Sequence, residues 1–163
     1  AASTVVDQAF VVARFLGNGL LGGFVGEPGI AVDADGDTVV AWPSAAAGFV
    51  SSIRARRYNA QGRPVGQTVV AGPASSLSAS HVAVSSDPVG NFALSWNNDE
   101  QILARRFRAD GRAAAPAFVV NPTFTTTNTD LSRTAIAHDA AGNIAIAWPG
   151  GRSDVLLRLY EGP

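Results

Sequence analysis

The chain has 163 residues, 47% apolar and 15% charged, so it can bury a core and is not a disordered tail. Twelve basic residues, all arginine, against thirteen acidic ones leave a net charge of −1, which argues against holding nucleic acid by overall charge. No apolar run approaches the ~18 to 20 residues of a membrane span, and the absence of cysteine removes disulfides, thiolate metal sites and a cysteine nucleophile.

Residues 1–27 open on Ala1-Ala2-Ser3, small residues of the kind left after signal cleavage, and no initiator methionine precedes them. Within this segment Val11-Val-Ala-Arg14-Phe15-Leu-Gly-Asn-Gly19 reads as a partial copy of a pattern that then recurs. Residues 28–72 hold a full copy: Asp33-Ala-Asp35-Gly36-Asp37-Thr-Val-Val-Ala-Trp42, then Ile53-Arg-Ala-Arg56-Arg57-Tyr58-Asn-Ala-Gln-Gly62, then Val69-Val70. Residues 73–122 repeat it with Asp87-Pro-Val-Gly90-Asn91-Phe-Ala-Leu-Ser-Trp96, Ile102-Leu-Ala-Arg105-Arg106-Phe107-Arg-Ala-Asp-Gly111 and a Phe118-Val-Val-Asn121 ending. Residues 123–163 carry Asp139-Ala-Ala-Gly142-Asn143-Ile-Ala-Ile-Ala-Trp148 and Val155-Leu-Leu-Arg158-Leu-Tyr160, without the last part. All three tryptophans of the chain hold one place in the repeat.

Each copy predicts four short strands. The first ends near Ile30, Val84 or Ile136, and an Asp-x-x-Gly-(Asp/Asn) turn supplies the positive φ of a tight hairpin. The second strand runs to the tryptophan, the third carries the Arg-aromatic pair, and the fourth ends in Val-Val. Thr38–Trp42 and Ile144–Trp148 are apolar on both faces, which predicts strands covered on both sides. The third strand is more amphipathic, with Ile53, Ala55 and Arg57 on one face and Arg54, Arg56 and Tyr58 on the other. No helix-period segment of useful length appears.

The repeat resembles the blades of bacterial secreted β-propeller proteins, which read roughly A-x-D-x-x-G-N, four apolar residues, W, then R-R-F-x-x-x-G and a V-N ending. That resemblance implies an all-β chain of four-stranded propeller blades and an exported life, secreted or at the cell surface; it implies fold better than activity. The chain holds three and a bit repeats, fewer than the roughly four to eight blades of a propeller ring. Completion of the ring by other chains, as a homo-oligomer or with other protein subunits, is therefore expected. A three-fold β-trefoil-like barrel is the alternative. The N-terminal segment can supply the fourth strand that the last copy lacks.

For chemistry, Asp33, Asp35 and Asp37 place oxygens at alternate positions, as calcium requires. The other two turns keep only Asp87 with Asn91 and Asp139 with Asn143, and the commoner role of such an aspartate is to cap its own amides. No other cofactor is suggested. Trp42, Trp96 and Trp148, with Arg57 and Arg106, are the residues for a repeated ligand pocket, with glycans as the ligand class. Against this, a tryptophan recurring in every copy serves as a core block, and repeated arginines serve structural pairing, for instance with turn aspartates of a neighbouring blade. His81 and His138 fall at different repeat positions and form no cluster on their own. Asp99-Glu100 is the one adjacent acidic pair, but neighbouring strand residues point to opposite faces. Phe49-Val50 is a candidate partner contact, and 121–130 a long polar loop. The expected function is a non-catalytic extracellular binding or assembly module, with a carbohydrate-binding lectin as the alternative.

Overall fold

The computed structural model describes residues 9–12, 26–45, 51–73, 81–98, 101–121, 133–150 and 154–162. Among them there is no helix, and hence none long and apolar enough to cross a membrane. Eleven strands follow in order: β1 (Gly29–Val32), β2 (Thr38–Ala45), β3 (Ser51–Tyr58), β4 (Pro64–Pro73), β5 (Val82–Ser86), β6 (Phe92–Asn97), β7 (Ile102–Phe107), β8 (Phe118–Val119), β9 (Ala135–His138), β10 (Ile144–Pro149) and β11 (Val155–Tyr160). They form three antiparallel sheets, in the orders β1-β2-β3-β4, β5-β6-β7-β8 and β9-β10-β11. Each sheet is one repeat.

The turn motif explains the hairpins. Asp33 Oδ1 accepts the amides of Asp35 and Asp37 at 3.0 and 2.9 Å, and Asp87 and Asp139 repeat the arrangement. The glycine that follows has φ of 82–85° in all three turns, where a Cβ would be strained. The next residue has a separate job. The Oδ1 of Asp37, Asn91 or Asn143 accepts the amide of Ala60, Ala109 or Gly162, tying the first hairpin to the end of the third strand at 2.7–3.1 Å. Asn143 also donates to Asp139, and these hydrogen bonds hold the Asp139 carboxyl below the usual carboxylate range.

The sheets stack face to face, with β5 lying against β1 on one side and β9 on the other. The core is correspondingly split in two. Val39, Ala41, Ile53 and Ala55 of the first sheet meet Phe92, Leu94 and Trp96 of the second. Ala93, Ile102, Ala104 and Val120 of the second meet Ile144, Ile146 and Trp148 of the third. Both junctions follow one rule: the tryptophan-bearing face of a sheet packs on the alanine-rich face of the sheet before it. A Cβ at Gly72 would stand 2.8 Å from Cζ2 of Trp96, so this glycine makes room for the indole.

The expectation of two-sided burial needs one correction. In neither β2 nor β10 is burial complete: Thr38 and Val40 of β2 and Ala145 and Ala147 of β10 remain partly exposed, whereas all six residues of β6 are buried. The reason is that, among the described residues, no sheet stands before the first or beyond the third. The segments holding Phe49-Val50 and Asp99-Glu100, and residues 122–130 of the polar loop, lie outside the described residues.

Candidate functional site

Strand alternation aims Trp96 and Trp148 into the two sheet junctions and sets Trp42 on the face of the first sheet turned away from the second. Trp42, Trp96 and Trp148 are all buried, and Trp96 Nε1 donates to the Pro73 carbonyl at 2.9 Å. Their indole faces are therefore taken up by packing. Asp33, Asp35 and Asp37 line a small recess of about 100 Å³ with Arg57, Gly90 and Ala109, across the first junction. Asp33 Oδ1 is already occupied by two amides, and no group of three or more His, Asp or Glu among the described residues is placed to hold a metal ion.

The two arginine positions divide the work. The first of each pair reaches backwards: Arg105 Nη1 donates to the Ala71 carbonyl at 2.9 Å, and its counterpart Arg158 donates to the Val120 carbonyl at 2.6 Å. Each thus clasps the end of the fourth-strand segment of the preceding sheet. The second reaches forwards: Arg106 Nη2 donates to the Tyr160 carbonyl of the third sheet at 3.3 Å. Neither Arg57 nor Arg106 makes an ion pair with a turn aspartate among the described residues. Burial lowers the Arg106 pKa below its ordinary value. Arg106 lines a cleft of about 530 Å³ with Asp87, Asn91, His138 and Glu161, beside Phe92 and Phe107. His138 Nδ1 lies 2.8 Å from Ser85 Oγ, and its pKa falls mainly because burial penalises the imidazolium; nearby Asp87 opposes that shift.

A second constellation joins all three sheets. His81 Nε2 approaches Glu27 Oε2 to 2.8 Å, and Arg133 Nη2 lies 4.0 Å from the same oxygen. Glu27, His81 and Arg133 each stand six residues before the turn aspartate, so they are one repeat position in three copies. Reading the histidines singly misses this. Aligning the repeats outward from Asp33, Asp87 and Asp139 would have found it.

The largest departure from symmetry is the outer face of the third sheet. Ile53 and Ala55 of β3, and Ile102 and Ala104 of β7, are fully buried. Their counterparts in β11, Val155 and Leu157, are 80% and 62% exposed, and Leu159 is 71% exposed where the repeats have Arg57 and Arg106. Ala135, Ala137, Ala145 and Ala147 share this face. Among the described residues β11 is also an edge strand, whereas β3 and β7 each have a fourth-strand neighbour. A contiguous apolar face beside an open edge is an association surface by its physical character. No protein-family model and no curated protein matches the chain.

Proposed function

We propose that the chain is a non-catalytic, exported binding or assembly module, whose sheets are propeller blades that other chains complete into a ring. The observation that carries this reading is the bare face of the third sheet, equivalent to faces that the next sheet covers in the first two repeats. The division of the core between two sheet junctions supports blades over a trefoil-like barrel, which would have one interior. Light scattering on a size-exclusion column across a wide dilution range tests it. Particles of two or more chains support the reading, and a monomer at every concentration overturns it.

The sugar-binding alternative draws support from the Arg106 cleft rather than from the tryptophans. Its volume of about 530 Å³ and the Arg106, His138 and Glu161 side chains that line it suit a small polyhydroxylated ligand. Calorimetric titration with a panel of monosaccharides and disaccharides checks it; no heat of binding at any sugar would remove it.

A further inference from the structure

Among the described residues the third sheet has no fourth strand, and the sequence of one is present at residues 9–12. In the second sheet that strand lies within Ala117-Phe118-Val119-Val120, and the same four residues recur as Ala9-Phe10-Val11-Val12. Their surroundings match too. Phe118 packs on Tyr160 of the following sheet with ring centroids 4.9 Å apart and planes at 58°. Phe10 packs on Tyr58, the residue equivalent to Tyr160, at 5.4 Å and 51°. Residues 9–12 thus stand against the first sheet as a fourth strand stands against the sheet after it. They belong to no strand here, and Phe10 and Val11 are exposed. Arg56 points to the same place: its counterparts Arg105 and Arg158 clasp the carbonyls of Ala71 and Val120, while Arg56 Nε is buried without a hydrogen-bond partner.

We propose that Ala9–Val12 of a second copy adds to the free edge of β11 as the missing fourth strand of the third sheet. This rests on the assembly reading above and names its partner and contact. Carrying over the register of β7 and β8 sets Val11 opposite Leu156 and Phe10 opposite Leu157. The Val12 amide then donates to the Val155 carbonyl, as Val120 does to Ile102 at 2.8 Å. The bare face carrying Leu157 and Leu159 comes to rest on the first sheet of the second copy, repeating the packing already present at both junctions. The occupant is a second copy because a chain's own residues 9–12 lie on its first sheet, with the second sheet between that face and the third. Reciprocal exchange between two copies is a closed two-fold arrangement. It brings six of the described sheets together, inside the roughly four to eight of a propeller, where the described residues of one chain give three.

The chain has no cysteine, so introduced ones report cleanly. Val11→Cys and Leu156→Cys are made in separate chains, mixed and oxidised, with the mass of the unmodified protein measured by light scattering. The expected result is a two-chain mass and a disulfide-linked pair that forms in the mixture but in neither variant alone. Val12→Pro, which removes the donating amide at an exposed segment, should raise the dimer dissociation constant at least about tenfold with the fold intact by thermal unfolding. A dimer without the cross-link, or one indifferent to Val12→Pro, overturns strand addition and leaves the assembly reading standing. A monomer at every concentration overturns both. If a chain carrying both Val11→Cys and Leu156→Cys closes the disulfide within itself, the second copy is the wrong occupant.

Discussion

The second and third sheets are written in the same repeat and differ in what stands beside them. β6 is buried along its whole length because the third sheet's tryptophan face covers one side of its sheet and the first sheet's alanine-rich face covers the other. β10 has the same alternation of large and small residues but, among the described residues, a neighbouring sheet on one side only, so its alanines are partly exposed. At the third-strand position the contrast is sharper still: Ala104 is fully buried and Leu157 is 62% exposed. Apolar character therefore marks a face that can be covered. Whether it is covered depends on the next sheet.

Substitutions at matched positions can break or sharpen that contrast. The largest effect is expected at Trp96, fully buried against Gly72: Trp96→Ala should cost about 3–5 kcal/mol in denaturant unfolding. Overpacking gives the next comparison. Ala104→Leu writes the third sheet's residue into the second and should cost about 1–3 kcal/mol, because the junction is closed there. Leu157→Ala makes the reverse exchange and should leave the unfolding of a dilute, dissociated chain almost unchanged while weakening association on the sizing column. Equal losses at the two sites would show that the third sheet is as closed as the second.

The turns allow a finer test. Asp87 is buried and Asp139 exposed, though both accept the same pair of turn amides. Asp87→Ala should cost about 1–3 kcal/mol, since it strands buried donors, and Asp139→Ala clearly less, since water can replace the carboxylate. Thermal melts of the two variants side by side decide this. The smallest effect concerns pH. The folded His138 pKa lies below its unfolded value of 6.5, so just below that pH the unfolded chain takes up a proton that the folded chain refuses. Stability present above that pH should therefore decline as pH falls through the folded pKa. His138→Gln should flatten this part of the stability–pH curve, and an unchanged slope would remove His138 as its source.

Much of the architecture was legible in the sequence because it rests on short-range physics. An aspartate that caps amides two and four residues on, and a glycine at positive φ, make Asp33–Asp37, Asp87–Asn91 and Asp139–Asn143 hairpins wherever they occur. Alternation along Ile53–Tyr58 likewise sets which residues share a face. What only the tertiary structure decided concerns residues far apart in the chain. It brought Glu27, His81 and Arg133 together, gave Arg105 and Arg158 the preceding sheet's carbonyls, and set Phe10 on Tyr58. It also left Leu157 and Leu159 bare while burying Ile53 and Ile102. Local hydrogen bonding shapes each sheet before any neighbour arrives, but burial belongs to a pair of sheets, and only their stacking says which faces have a partner.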